Sequence, residues 1–413
     1  MSALFKHVLA CVDLGDVASS KQVVLAAQEI MSPESVLHIF TAVPDFGRSI
    51  VGSFFPDDFE TTAIDKTREE LHGFIDEQVP KGIRVQAVIG HGNIYEEILE
   101  AADKVEANLI LNWIAGGDHA PYYYAKQEGW YDKAGLDLTI EQGKGSQLAT
   151  QRVGIGASQL GLADMGVVLT AIGAGADIVA IMNVYANTPQ GFYWLKSSGI
   201  TGPKDFAGKK IGNPPSDAAR AMFPVFAKAV GIEPDSVQWI NVQPNAKLSA
   251  LKAGSIDVTT SFYNIHHIFQ GQLGDDMGFV SWKDVGVNPY GNSLIANGEF
   301  LKENPDAVRT FVEVSQKAFA FCVENAEACV DALVAANTGL KKDNELQNWK
   351  LVTELMSNEH SQNVGLGHFE DSRMATDYDM VETYFEIKQP YDVKKAYTNE
   401  FIDTSIKMPK ANM

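Results

Sequence analysis

Over the first 112 positions, short unbroken apolar runs alternate with stripes of helical spacing. KHVLACV (6–12), VLHIFTAV (36–43) and IRVQAVIG (83–90) are runs of strand length with no helical period. Between them, Val23, Val24, Ala27 and Ile30 share one face of a helix expected over 18–31, which Pro33 ends. Residues 44–57 hold Pro44, Gly47, Gly52 and Pro56 and read as a loop before an acidic amphipathic helix at 58–79. NIYEEILEAADKV (93–105) predicts a helix capped near Asn93, and NLILNW (108–113) a fourth strand. Repeated strand–helix alternation implies a parallel sheet covered by helices.

The pattern restarts near residue 108. APYYYAKQEGWYDKAG (120–135) predicts a helix with proline in its first turn, LDLTIEQ (136–142) a strand, and GKGS (143–146) a glycine-rich turn into a helix. DMGVV (164–168), DIVAIMNV (177–184), GFYWLK (191–196), KKIGN (209–213) and VQWINV (237–242) read as strands. Helices are expected over 217–231 and 244–253. DVTTSFY (257–263) and NSLIAN (292–297) read as strands crossing back between two lobes. From 299 onward helices dominate, at roughly 304–323, 326–337, 345–356 and 371–384.

Composition narrows the classes. A chain of 413 residues suggests two or three domains at about 150 residues each. With 33 basic against 53 acidic residues the formal charge is −20, which disfavours a nucleic-acid binder that depends on counterion release. No apolar stretch reaches the roughly 18–20 residues of a membrane span. Three cysteines exclude a disulfide scaffold and a four-thiolate zinc site. Lys6, His7 and Asp13 interrupt the apolar N-terminal run, so it reads as a strand rather than a secretion signal, and the expectation for the chain as written is the cytoplasm.

Two resemblances carry the functional reading. HVLACVD (7–13), VLHIFTAVP (36–44) and VIGHGNIYEEILEAADKVEANLIL (88–111) resemble the universal stress protein family. That family's phosphate-cradling loop, G-x-x-G followed nine residues later by G-[S/T], is missing after Leu111. Asp13 matches its acidic position near the nucleotide, but without the loop ATP binding is not expected. LNWIAGGDHAPYYYAKQEGWYDKAGLDLTIEQGKGS (111–146), GPKDFAGKKIGNP (202–214) and LSALKAGSIDVTTSFY (248–263) resemble periplasmic solute-binding proteins of the nitrate/sulfonate/taurine and thiamine-pyrimidine-precursor type. The expected fold is therefore α/β: a truncated parallel-sheet stress-protein-like domain (1–107), then a two-lobed periplasmic-binding-protein-like fold (108–413). Both resemblances claim strand 108–113, and one strand occupies the middle of one sheet only. Trp113, the GGD turn and helix 120–135 continue the solute-binding fold without a break, so the strand is assigned there. A join inside a strand suits a gene-assembly artefact as well as a natural fusion.

Such a cleft needs aromatic walls, a few convergent polar groups and a hinge. Trp113, His119 and Tyr122 cluster where a strand ends and a helix begins, the place where α/β folds hold ligands. Ser146 follows two glycines at a helix start, suited to an anion or carbonyl oxygen or to a plain cap. Asp217 and Arg220 open a second-lobe helix, Asp217 as a cap or a ligand group, Arg220 as a ligand group or a surface charge. Tyr263 and Asn264 end the expected crossover strand. These eight residues are the candidate ligand set. His266 and His267 are adjacent, point apart on a strand, and form no metal site. VGIGASQLG (153–161) lacks the third glycine of a dinucleotide fingerprint, and GPKDFAGKK (202–210) lacks P-loop spacing.

What the resemblance implies is binding of a small solute, without cofactor or metal, for delivery to the membrane subunits of an ABC importer. A periplasmic location would follow from it, against the cytoplasmic reading of the N-terminus. Some relatives are pyrimidine synthases with a cysteine-rich motif; no such run exists here, so enzymatic action is not expected. The alternatives are a pyrimidine-precursor enzyme, favoured by a cofactor bound on a lysine, and a cytoplasmic ligand sensor. Cys322 and Cys329 would lie about 10.5 Å apart in one continuous helix, beyond the ~7 Å limit for a bridge. A corner at Asn325 would bring them face to face, and otherwise they are two buried thiols. The oxidising compartment of the resembled proteins favours the bridge.

Overall fold

The computed structural model describes residues 7–31, 35–44, 59–92, 104–385 and 387–409. The chain divides into two compact units, Met1–Val105 and Glu106–Met413. The loop expected at 44–57 and the helix expected at 93–105 fall almost wholly outside the described residues.

In the first unit the apolar runs form three parallel strands, β1 (His7–Cys11), β2 (Val36–Pro44) and β3 (Arg84–Gly92), in the order β1-β2-β3. Alternate residues Val8 and Ala10 of β1 and Leu37 and Ile39 of β2 enter the core. Val24 and Ala27 of helix Val17–Glu29 meet them there, with Leu71, Phe74 and Ile75 of helix Phe59–Gln78. Asp16 caps the first helix by accepting from the Ser19 N–H. Burial raises the thiol pKa of Cys11, a free cysteine.

The second unit holds two five-stranded sheets. The first, in order β5-β4-β6-β13-β7, comprises β4 (Val105–Ile110), β5 (Leu136–Glu141), β6 (Leu160–Asp164), β7 (Ile178–Asn183) and β13 (Asn292–Asn297). The second, in order β10-β9-β11-β8-β12, comprises β8 (Gln190–Leu195), β9 (Lys210–Asn213), β10 (Gln238–Asn241), β11 (Val258–Phe262) and β12 (Met277–Ser281). The chain passes to the second lobe through 184–189 and returns through 282–291, so two crossings join the lobes. Strand β13 runs antiparallel to both β6 and β7, while β4 and β6 are parallel. Tyr397 extends the first sheet by an isolated parallel bridge to Ala180.

Several expectations change. The contested strand is β4, which begins three residues earlier than expected and ends before Trp113. DMGVV is a helix start: the strand is LGLAD (160–164), and Asp164 caps helix Met165–Gly173 through the Gly166 N–H. Strand β11 is not a crossover, since it lies inside the second sheet between β9 and β8. His266 and His267 begin a helix, not a strand, and no metal-binding cluster occurs among the described residues. Helix 120–135 is broken at Gly129, whose φ of 66° lets the chain turn between Ala120–Gln127 and Trp130–Lys133.

Helices Pro305–Glu324 and Ala326–Ala336 pack on helix Ala120–Gln127. Asn325 separates them, and Cys322 and Cys329 are bridged across that corner with Cα atoms 5.8 Å apart. Both are fully buried. Unreduced protein from an oxidising host, titrated after unfolding, should therefore yield one free thiol per chain, from Cys11. Three free thiols would rule the bridge out.

Candidate ligand-binding cleft

The cleft is built where β4 ends. Asn112 and Trp113 follow that strand, and the turn 143–145 folds back over them: Gly143 N–H donates to Trp113 O (3.0 Å) and Gly145 N–H to Asn112 O (2.8 Å). A β-carbon on Gly143 would lie 1.8 Å from Leu111 O, so only glycine permits this approach. The two glycines thus serve backbone packing. Ser146 is the first helical residue, with Gly145 at the cap position, and its hydroxyl accepts from Asp164 N–H (3.1 Å).

A cavity of about 320 Å³ lies between the lobes. The first lobe contributes Asn112, Trp113, Asp118 and Ser146; the second contributes Asp217, Lys247, Ser261, Phe262 and Asn264. Glu345 and Asn348 enter from helix Lys342–Met356, which packs on both the turn Gly117–His119 and the turn Tyr263–Ile265. The lobes are in contact around it. Ser216 Oγ donates to Lys144 O, Gln147 N–H donates to Ser216 O (3.2 Å), and Asn264 Nδ2 donates to Asn348 Oδ1 (3.0 Å). Lys247 Nζ lies 4.9 Å over the Trp113 ring.

Of the eight candidates, Trp113, Ser146, Asp217 and Asn264 line the cavity. The other four do not. His119 is fully buried behind the wall: its Nδ1 accepts from Gly116 N–H (3.2 Å), so the proton sits on Nε2 and is donated to Asn112 Oδ1 (3.0 Å). Burial holds it neutral, below the usual histidine range, although Asp118 opposes this, and the 3.2 Å contact with Asp118 is therefore no ion pair. Tyr122 is a core residue against Phe319. Arg220 turns to the surface, donates to Asn241 Oδ1 (2.7 Å) and stacks on Trp239. Tyr263 packs beside His266 and Phe279, leaving the wall position to its neighbour Phe262.

The residues missed are the charged ones. Lys247 is buried and donates to Asp217 Oδ2 and Thr260 O, each at 3.0 Å. Burial pushes its ammonium pKa down, and Asp217 opposes that by charge and hydrogen bond. Asp217 also caps the next helix through Ala219 N–H (2.9 Å). At the other end, Glu345 Oε2 accepts from Gly117 N–H (2.6 Å) and Asp118 Oδ2 from Tyr185 OH (3.3 Å). Burial raises Glu345 to about 7; the Gly117 N–H pulls it down, and the Asp118 charge adds to the rise. Lys247 had one signal, a lone cation opening a helix. Glu345 reads as an ordinary acid in a first helical turn.

Residues 117–329 match the family model described as NMT1/THI5 like. The 4-amino-5-hydroxymethyl-2-methylpyrimidine phosphate synthase of Legionella pneumophila is 23% identical over 306 residues, covering 72% of this chain and 93% of its own. The formylaminopyrimidine-binding protein of Halalkalibacterium halodurans is 22% identical over 264 residues, covering 63% and 79%. Among solved structures, the alkanesulfonate-binding protein SsuA from Xanthomonas axonopodis pv. citri, bound to MOPS, superposes with a TM-score of 0.54 at 13% identity, over 72% of this chain and 99% of that one. At that identity the likeness is one of fold.

Proposed function

The chain belongs to the NMT1/THI5-like family, and we propose that within it residues 106–413 act as a solute-binding protein that closes on a small polar or heteroaromatic ligand. One observation carries this reading: a cavity lined from both lobes, with only two crossings joining them. A ligand that touches both walls binds the closed form better and shifts the population toward it. Delivery to the membrane subunits of an ABC importer follows as the use of that closed form. No helix among the described residues is long and apolar enough to cross a membrane, so transport would need such subunits. The Cys322–Cys329 bridge supports an oxidising compartment.

The second reading is an enzyme, favoured by the relative named as a synthase. Against it, the cavity lysine already donates to a carboxylate and a carbonyl, so its amine is engaged within the protein. Two of the three cysteines are bridged, which removes their thiols from chemistry.

A thermal-shift screen with pyrimidines, sulfonates, nitrate and amines tests the proposal. A ligand at 100 times its dissociation constant should add about 2.7 kcal/mol, and Trp113→Ala should abolish the shift. A ligand consumed during the assay would favour the enzyme. A shift untouched by Trp113→Ala would remove the cavity from consideration.

A further inference from the structure

Two buried carboxyl groups hold the hinge, and neither lines the cavity. Asp164 ends β6 in the first lobe; Gln190 opens β8 in the second, directly after the first crossing. Gln190 Nε2 donates to Asp164 Oδ2 (3.1 Å), so this bond joins the lobes. Asp377 lies on helix Asp371–Tyr384, which packs on helix Met165–Gly173 of the first lobe and on helix Phe223–Val230 of the second. Its Oδ2 accepts from Tyr290 N–H (2.9 Å), near the end of the return crossing. Arg373, on the same helix, donates to Asn288 O (2.8 Å) and lies 4.2 Å over the Tyr290 ring. Asn288 ties the crossings to each other: its Oδ1 accepts from Thr188 N–H (2.9 Å) and its Nδ2 donates to Asn187 Oδ1 (3.2 Å). Each carboxyl group thus grips one crossing.

The surroundings disfavour charge on both. Burial raises Asp164 to about 6; the Gln190 amide and the Gly166 and Val167 N–H groups pull it down, and the Asp217 charge adds to the rise. Asp217 is itself paired with Lys247. Burial raises Asp377 to about 7; the Tyr290 N–H and the Arg373 charge oppose this, and Asp164 adds to it. Glu370 lies beyond Tyr290, where its N–H donates to the phenol oxygen (3.0 Å). The neutral acid also has acceptors for its proton. Gln190 Oε1 is buried and accepts nothing from the described residues. Neither amide atom of Asn292, which lies opposite Asp164 in the β6–β13 ladder, has a partner among them. A protonated Asp164 can donate to such an oxygen, whereas a carboxylate only accepts.

We propose that Asp164 and Asp377 form a proton-operated catch on the hinge: protonated, they seat both crossings and hold the lobes together; ionised, they release them. This rests on the closing of the lobes proposed above. Parting the lobes breaks the Gln190 bond and admits water to the two groups, which returns them toward ordinary carboxylate values. The closed form therefore binds more protons than the open form. Its advantage is complete in acid and is lost as pH rises through about 6 to 7.

Pulsed dipolar spectroscopy on the full chain tests the catch without a ligand. Thr338 and Gln243 are exposed, and each lies within two residues of a cavity-lining residue, Leu340 of the first lobe and Pro244 of the second. Nitroxides on Thr338→Cys and Gln243→Cys, in a Cys11→Ser background, read the width of the cleft mouth. Between pH 5.5 and 8.5 the ratio of short to long distances should fall by about tenfold or more. Asp164→Asn and Asp377→Asn mimic the protonated groups, and asparagine keeps the helix cap at 164. Each should weaken the dependence, and the double variant should stay closed at every pH. The labelled protein with both aspartates needs no further substitution, so its own profile decides the case if an Asn variant fails to fold. A flat profile there overturns the catch. So does a dependence that survives in the double variant, which would assign the titration to Glu345, the cavity carboxyl also near 7. Gly145→Ala separates the catch from closure itself, because its β-carbon would lie 2.2 Å from Ser216 O of the opposite lobe. If that variant widens the mouth while pH does not, closure stands and the catch falls. If neither changes the distance, both fall.

Discussion

Lys247→Met should lower the unfolding free energy of the second unit by about 3–5 kcal/mol, the cost of breaking a buried pair from one side. The Lys247 and Asp217 side chains are 7% and 8% exposed, and the amine has two oxygen partners. Removing the amine leaves Asp217 with the Ala219 N–H as its hydrogen-bond donor and no opposite charge in contact. Asp217→Asn keeps the cap but leaves the ammonium with only the Thr260 carbonyl, and should cost a similar amount. The double variant should recover most of the loss, because two neutral side chains bury at little penalty. All six tryptophans, at 113, 130, 194, 239, 282 and 349, lie in residues 106–413. Urea unfolding followed by tryptophan fluorescence therefore reports that unit. A loss below about 1 kcal/mol in both single variants, or additive losses in the double, would show that the pair is solvated and weak.

How much of this was legible in the sequence follows from the range of the forces involved. Strand positions are largely local: VLHIFTAV and NSLIAN are short, lack helical spacing and hold β-branched residues, and both are strands. DMGVV is as apolar as a strand, so pattern does not mark the boundary at Asp164; the deciding bond is the Gly166 N–H donated to Asp164 Oδ1, a helix cap. Strand β11 was given the wrong role because periodicity carries no information about which sheet a strand joins. At the site, Trp113 and Ser146 were found because they sit at element ends, which the pattern marks. His119 and Tyr122 occupy the same ends but face inward, and a one-residue rotation on a helix is invisible without its packing partners. Lys247 and Glu345 were missed for the opposite reason. A charged residue near a helix start is read as solvated, and only partners 30 and 228 residues distant, Asp217 and Gly117, make them interior groups.

Gly145→Ala should weaken ligand binding by about 100-fold or more, roughly 2.7 kcal/mol, with a smaller effect on stability. Gly145 has φ 133°, where an alanine is strained in any state of the molecule at a cost of about 1–3 kcal/mol. That cost appears in the melting temperature. The larger effect is specific to closure. A β-carbon there would lie 2.2 Å from Ser216 O, an atom of the opposite lobe. Ser216 is also bonded to Lys144 and Gln147, and its neighbour Asp217 lines the cavity, so this contact is where the second lobe seats on the first. Because the obstructing atom is backbone, no rotamer change relieves the overlap; the lobes must separate. A ligand that gains its affinity from both walls then binds to one. Calorimetry with whichever solute the screen identifies, set beside a thermal melt, distinguishes the two effects. An affinity within threefold of the unmodified protein would mean that the lobes need not meet at residue 216 to hold the ligand, and the mechanism of closure proposed here would have to be abandoned.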